Sequence, residues 1–458
     1  MKRLVLLVGV LACNNADAPK TTKPTTVAQA DPCAGARDEG PISWIVDDYP
    51  AALRCARQRK MPLVLDLWAP WCHTCLSMQS TVFQDASFAA MKSRFVFASL
   101  DTDKESNAKS LGKLAISAWP TFYVIGEDES VLARWVGAAS VGQFHELLDA
   151  GEHATAGGRA ASDAHLLSAE RALAVKDLAS AETELTAAIA SAPDAWLRRP
   201  DVLNNLILVK WKRKDLTGCL DVAEKYMPTT GNSSVASDFM VTAMSCAEAA
   251  QKDSPDRVKA LREKAVARWK DLLADAGSPM SADDRSDAMA SEREALEALG
   301  KKDEAKTLAE QQRVMLDAAV AKATTPMAAM TYNWPRSEVY VYLGRALELV
   351  PALEKSAKDL PKEYDPRARL GWLYWKAGKL DLAAKWTDQA LELVYGPRRA
   401  RLLGQRADIA KAAGDSTTER TYREQAVKAW ENLPPEQASP ENLERAKQAL
   451  AACGGGAH

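Results

Sequence analysis

The sequence predicts an α/β domain, a central mixed sheet flanked by helices, followed by an all-α helical-repeat domain. Three observations lead there. At 458 residues the chain is too long for one hydrophobic core, and its length suggests about two to four domains. Across residues 41–150, apolar strand-like runs alternate with segments of helical period, the pattern of a sheet covered by helices on both faces. Beyond Gly151 the strand signals vanish, and a stretch rich in Ala, Leu, Glu and Lys arrives as helix pairs. Hydrophobic residues are 47% and charged residues 26% of the chain, ordinary for a soluble globular protein. The formal net charge of -2 supplies no bulk field for nucleic acid or an anionic membrane, so neither is expected as a partner.

At the N-terminus, Met1-Lys2-Arg3 precedes an apolar run from Leu4 to Leu11 that only Gly9 interrupts. This reads as a secretory signal, too short to span a bilayer as a stable helix. Val10-Leu11-Ala12-Cys13 resembles a bacterial lipobox, whose cysteine becomes the first mature residue and carries lipid. Residues 1–13 are therefore read as a lipoprotein-type signal peptide, with Cys13 as the lipid attachment. Leu11 is bulkier than the small residue usual there, and cleavage near Ala16 or Ala18 without lipid is the alternative. Either route takes the chain out of the cytoplasm, and the lipid would hold it at the periplasmic face of a bacterial membrane. Residues 14–40 have almost no large apolar side chains and read as a flexible tether.

Residues 41–152 form the α/β domain. Asp47 to Lys60 is helical, with Ala51, Ala52, Cys55 and Ala56 at helical spacing. Pro62 to Trp68 is a near-continuous apolar run, as a strand buried on both faces requires. Cys72 to Lys92 is expected to be helix, Phe95 to Leu100 strand and Lys104 to Leu114 helix. Thr121 to Ile125 and Val131 to Val136 are strands around a 126–129 turn, and Val141 to Leu148 is a closing helix. Gly157-Gly158 marks a linker, 153–161, before the helical region 162–452.

Cys72 and Cys75 carry the strongest chemical signal. A C-x-x-C pair between a buried strand and a helix start puts the first cysteine where unpaired N–H groups and the helix dipole favour a thiolate. Cys75, one turn on, can then attack a mixed disulfide and release product. Half of a zinc site is the competing reading. It needs two further ligands, and the sequence holds no second C-x-x-C and no H-x₃₋₅-H among its five histidines. A purely structural disulfide is the other. No metal is expected, and no cofactor beyond the redox-active Cys72–Cys75 disulfide.

The segment Trp68-Ala69-Pro70-Trp71-Cys72-His73-Thr74-Cys75, with Trp119-Pro120-Thr121 about 45 residues further on, resembles the thioredoxin superfamily. The resemblance implies a cis proline at Pro120 facing the disulfide, leaving the backbone before it free to pair with an extended substrate. It makes Asp66 the buried proton acceptor for Cys75, with a satisfied core acid as the plainer alternative. Trp71 matches the aromatic that shields the pair, and Gly137 the glycine ending the last strand. Trp71, His73 and Trp119 are expected to position substrate beside the catalytic Cys72, Cys75, Asp66 and Pro120. Lys60-Met61-Pro62, Thr81-Val82-Phe83, Asp85 and Asp101 extend the resemblance to the C-terminal periplasmic domain of DsbD-type reductases and related secreted proteins. Leu76 departs from it, replacing the cation often found after the second cysteine. His73, if protonated, favours the thiolate and a more oxidising pair; if neutral, it is an exposed polar residue.

In the helical region, Arg369 to Leu393 places Leu370-Gly371, Tyr374, Gly378, Ala383 and Ala390 where a tetratricopeptide repeat (TPR) places its packing residues. Gly378 to Gly414 is 36 residues, near that repeat's period of about 34. Five to seven helix pairs are expected, forming a platform for a protein partner. Cys33 could pair with Cys55 and Cys219 with Cys246, or the latter two could be buried small apolar residues; Cys453 could be free. Trp372, Trp375, Trp386 and Tyr395 pack between helices or line a groove. The basic run Pro397-Arg398-Arg399-Ala400-Arg401 reads as a solvated helix start. The expected function is an exported thiol–disulfide oxidoreductase of reductase or isomerase type, acting on protein or peptide disulfides. The alternative is a TPR-type scaffold whose α/β unit is a redox-sensing or structural appendage.

Overall fold

The computed structural model describes residues 33–154, 160–193 and 195–453. The signal segment with Cys13, the tether up to residue 32 and Gly157-Gly158 lie outside the described residues.

The α/β unit holds a six-stranded sheet ordered β1-β2-β4-β3-β5-β6. β3 (Leu63–Trp68) is central, parallel to β4 (Val96–Asp101) and antiparallel to β5 (Thr121–Ile125), which pairs with β6 (Val131–Val136). Its residues feed two cores. Val64 meets Phe83, Phe122 and Phe144 on one face, while Leu63, Leu65 and Leu67 meet Ala52, Ala56 and Leu100 on the other. That double burial is the reason the run reads as uniformly apolar.

The other side of the sheet corrects the sequence reading, which placed no strand before the first helix and assigned residues up to 40 to the tether. β1 (Ala36–Glu39) and β2 (Ile42–Val46) form a hairpin at that edge. β1 is exposed throughout and is held by backbone pairing and by Asp38, which accepts from Ser43 and Lys92, so it leaves no hydrophobic pattern. A disulfide from Cys33 to Cys55 ties the segment before it to α1 (Tyr49–Arg59).

The helix expected from Cys72 to Lys92 also breaks. α2 (His73–Ser80) stops at Thr81, and two 3₁₀ segments follow. The Thr81 hydroxyl donates to Ser77 O at 2.6 Å, the Ser80 hydroxyl donates to Leu76 O at 2.8 Å, and Asp85 accepts from Ser87 N at 2.9 Å. Short polar side chains here compete with the helix for backbone groups. α3 (Glu105–Leu111) and α4 (Val141–His153) complete the unit, the latter opened by a Ser140/Gln143 capping box.

The rest is helical. Pairs form from α5 (Ala161–Ala174) with α6 (Leu178–Ser191), α7 (Arg199–Lys212) with α8 (Leu216–Tyr226), and α9 (Ser234–Ala250) with α10 (Pro255–Ala274). α11 (Ala282–Ala298) follows with α12 (Lys302–Lys322), then a short α13 (Pro326–Met330), and α14 (Asn333–Tyr342) with α15 (Val350–Asp359). α16 (Asp365–Lys376) with α17 (Leu380–Leu391), α18 (Gly396–Ala412) with α19 (Ser416–Glu431), and a final α20 (Pro440–Ala452) end the array. These are seven pairs, the upper end of the expected range. One turn recurs between partners. Lys176, Lys214, Gly300, Gly344, Gly378 and Gly414 adopt positive φ. The N–H after each returns to a carbonyl five residues back, as in Asp177 to Ala172 (2.9 Å) and Lys301 to Leu296 (2.9 Å). This is the Schellman cap, in which αL backbone satisfies the last helical carbonyls. A disulfide, Cys219–Cys246, joins α8 to α9.

The array does not stand apart from the α/β unit. Arg171 in α5 donates to Val131 O (3.1 Å), Arg198 to Arg134 O (3.1 Å), Ser77 to Ser281 (3.1 Å) and Gln437 to Thr102 O (2.8 Å). Its contacts thus run from the first helix pair to the segment before α20, and part of the surface expected to serve partners holds the chain's own α/β unit.

Gly371 shows how closely α16 and α17 approach: a Cβ there would lie 2.4 Å from Thr387 Oγ1 and 3.1 Å from its backbone N. Gly371→Ala is expected to lower the unfolding free energy by about 1–3 kcal/mol, read as a shift in the urea midpoint.

Candidate redox site

β3 delivers the chain to Ala69-Pro70-Trp71, and Cys72 caps α2, its Sγ accepting the Cys75 N–H at 3.0 Å. Cys72 and Cys75 are joined as a disulfide. Cys72 is at the helix start that the sequence predicts and is 4% exposed, with Cys75 at 1%. Trp68, Trp71 and Trp119 pack against the pair, and the rings of Trp71 and Trp119 meet edge to face at 5.1 Å. The Trp119–Pro120 peptide is cis, and Pro120 O accepts from Gly137 N at 2.9 Å, Gly137 adopting φ +88°. The loop bearing Pro120 therefore lies beside the disulfide, and Trp119 Nε1 donates to Thr102 Oγ1 at 2.8 Å.

Asp66 lies within β3, 2% exposed. Burial raises its pKa to about 7, opposed by a hydrogen bond from Gln79, and its Oδ1 has no partner among the described residues. A cavity of about 20 Å³ lies beside it, bounded by Gln79, Gln84 and Ser99, with room for one water.

His73 is not an exposed polar residue. Its Nδ1 faces both carboxylate oxygens of Asp283 at 3.0 Å, and its Nε2 lies 3.9 Å from Asp287. Burial opposes charge on the ring, but Asp283 and Asp287 overcome it and lift the pKa to about 10, against a smaller push from Arg369. His73 is thus a cation supplied with its counter-charge by α11. The three side chains offer ligand atoms within 4.8 Å of one another. An ion pair accounts for that spacing without a metal.

The loop after β4 is pinned from the far end of the chain. Tyr395 OH donates to Asp101, Gln437 Nε2 donates to the carbonyls of Thr102 and Lys104, and Trp71 Nε1 donates to Asp103 at 2.9 Å. The Arg398 guanidinium sits over the Trp71 ring at 5.6 Å. The run 397–401 is therefore no solvated helix start: Arg398 is half-buried against the redox loop. Sequence reasoning missed Asp283, Asp287 and Gln437, and read Tyr395 only as an aromatic packing between helices or lining a groove. Each is an ordinary helix or turn residue locally, and only the docking gives it a role.

Residues 44–125 match the family model described as thioredoxin-like. Solved structures of other proteins align with about two thirds of this chain. A tetratricopeptide repeat protein from Parabacteroides merdae is 16% identical, with 64% of this chain and 98% of that one covered and a TM-score of 0.42. The Cut9–Hcn1 complex of APC/C gives 12% identity, coverage of 68% and 59%, and a TM-score of 0.30. Yeast Tom70 gives 15%, 64% and 84%, and 0.18. Likeness at that level is weak, and the TPR-like character rests on the helix pairs and their recurring turns. The chain is thus a thioredoxin-like domain followed by TPR-like helical repeats. No described helix is long and apolar enough to cross a membrane.

Two predictions follow from the docking. Gly396 opens α18 at φ +58°, and a Cβ there would lie 2.1 Å from Asp103 O. Gly396→Ala is expected to lift the C-terminal repeats off the redox loop and speed alkylation of reduced Cys72 about tenfold, equivalent to about 1.4 kcal/mol. Burial also raises Asp238, which abuts Gly137, to about 7 and Asp284 to about 6. A carboxyl raised in the folded state binds more protons than in the unfolded chain, so stability falls as pH rises from about 4 to 7. His73 adds to the trend, its contribution complete below about pH 6.5 and lost as pH approaches 10. The melting temperature should be higher at pH 5.5 than at 8.5, and Asp238→Asn should raise it at pH 8.5 but not at pH 4.

Proposed function

We propose that this chain is an exported bacterial thiol–disulfide oxidoreductase, lipid-anchored through Cys13, whose reactive pair is Cys72 and Cys75. The observation that carries the proposal is the Cys72–Cys75 pair at the start of α2, against the cis Trp119–Pro120 loop with buried Asp66 in the adjacent strand. In the reducing direction the Cys72 thiolate attacks a substrate disulfide, forms a mixed disulfide and expels one substrate thiolate. Cys75 loses its proton to Asp66 and attacks Cys72 Sγ. The second substrate thiol leaves, and the pair ends as the disulfide, two electrons having passed to substrate. An external dithiol returns the pair to its reduced form. The helix N-terminus and charged His73 both favour negative charge on Cys72. Pro120 helps to hold the substrate strand, and Trp71 and Trp119 must yield for it to reach the sulfur. Export is supported by the N-terminal apolar run and by two further disulfides, Cys33–Cys55 and Cys219–Cys246, which suit an oxidising compartment.

A second reading has one observation in its favour. With Cys72 4% exposed beneath the repeats, the dithiol could report redox state to a TPR-type scaffold rather than turn over substrate. Insulin reduction separates the two. Turnover abolished by Cys72→Ser supports the enzyme. A correctly folded wild type without turnover supports the scaffold. A Cys75→Ala variant should trap substrates as mixed disulfides on Cys72, identifiable by mass spectrometry.

Asp66 gives the pH test. As a base it acts when ionised, so the resolving rate should rise with pH through about 7. Asp66→Asn should remove that limb and slow resolution on the order of 100-fold.

A further inference from the structure

We propose that the C-terminal repeats carry an oxyanion-binding site beside the redox centre, formed by Arg369, Arg398, Arg401 and Gln405, which takes a carboxylate or phosphate group. The site is a cavity of about 130 Å³ between α14, α16 and α18, walled by Trp334 and Trp372. That is room for about four waters, the scale of a small oxyanion and its shell. Its charged lining consists of three arginines and no acid.

The donors are built in and unused. Arg369 is 5% exposed, its plane is stacked over Trp334 at 4.6 Å, and one of its terminal nitrogens pairs with Asp365 at 2.7 Å. Its Nε and the Nε2 of Gln405 are buried with no hydrogen-bond partner among the described residues. Arg398 and Arg401 make no ion pair with any described residue, although Arg398 is half-buried and Arg401 exposed. Burial holds Arg398 below its ordinary pKa, and Arg369 and Arg401 push in the same direction. The nearby acids are engaged: Asp365 with Arg369, and Asp103 with the Trp71 indole. Three guanidinium groups converge on one bonded carboxylate, Asp365, with Asp103 acting on Arg398 and Arg401 through space, and a bidentate oxyanion complements the charge that remains.

The site opens toward the chemistry. Arg398 and Arg401 also line a larger cleft of about 580 Å³, which Trp71, Trp119, Asp103 and Glu436 line as well. A ligand anchored by its anionic group could therefore reach the aromatic cover of Cys72. Anion binding stands without the redox reading; the substrate as source of the anion rests on it.

Two experiments on the full-length oxidised protein test the site. Calorimetric titration with sodium phosphate at constant ionic strength should show saturable binding, weakened at least tenfold by Arg398→Gln/Arg401→Gln. Gln405→Glu should block phosphate and raise the melting temperature, because the new carboxylate takes the anion's place. No phosphate binding together with a destabilised Gln405→Glu overturns the proposal, as does equal binding by wild type and the double variant. The source is read from two disulfide peptides, one with Glu beside each cysteine and one with Gln. A KM about tenfold lower for the Glu peptide, lost in the double variant, makes the substrate the source. Equal KM values with phosphate bound make it a free anion. Phosphate binding with neither peptide reduced leaves the site standing and sinks the redox reading. Reduction of both peptides with equal KM and no phosphate binding does the reverse.

Discussion

The contact between the loop Ala69–Cys72 and the helical repeats constrains the rest of the molecule. A thioredoxin-like fold offers its first cysteine at a helix start, an edge of the structure where backbone N–H groups lack helical partners. Here that edge is an interior. α11 supplies Asp283 to His73, α18 lays Arg398 over Trp71, and the segment before α20 ties the loop after β4 through Gln437. Cys72 is 4% exposed, with Trp68, Trp71 and Trp119 packed against it. The sulfur chemistry and the docking of the two halves are therefore one equilibrium.

The character of that interface sets how it could open. It is unlike the apolar cores on either side of β3. Val235 and Ala174 of the repeats do enter those cores, but many of its joints are polar: a histidine–carboxylate pair, a serine–serine bond, a tyrosine on a carboxylate, an amide on two carbonyls and two arginines on strand carbonyls. Polar joints of this kind each contribute little net free energy, since water replaces them when they part. The desolvated carboxyls of Asp238 and Asp284 oppose closure once ionised. The two halves are held by alignment of many weak contacts, with close-packed glycines such as Gly396 setting the fit. Each half carries its own disulfide: Cys33–Cys55 in the first, Cys219–Cys246 in the second.

What could be read in the sequence divides along the same line. β3 is legible because burial on both faces forces an apolar run. Cys72 and Cys75 are legible because their spacing matches a single local geometry, and Pro120 through the resemblance to the thioredoxin superfamily. The turns at Gly378 and Gly414 are legible because αL backbone selects glycine, whereas at Lys176 and Lys214 lysine carries no such mark and the turns show only through the N-cap aspartates that follow, Asp177 and Asp215. β1 escaped because an exposed edge strand buries nothing. Asp283, Arg398 and Gln437 escaped for another reason: 210, 326 and 365 residues separate them from His73, Cys72 and Cys72. No local period records a meeting at that range.

That division bears on how the motif itself should be understood. Cys-His-Thr-Cys is ambiguous in isolation, because the effect of its histidine depends on protonation. In this fold the ambiguity is resolved from outside the motif. α11 holds His73 charged, while Asp283 and Asp287 also partly cancel its field at the sulfur. On the other flank Arg398 has no carboxylate bonded to it, and its positive field reaches the Trp71 side of the pair. The repeats thus place a neutralised cation on one side of Cys72 and an open one on the other. A negatively charged ligand group entering by Arg398 would offset that field and a cationic one would add to it, so the electrostatics at the sulfur are set by the helical half and by what it binds, and the four-residue motif alone does not determine them.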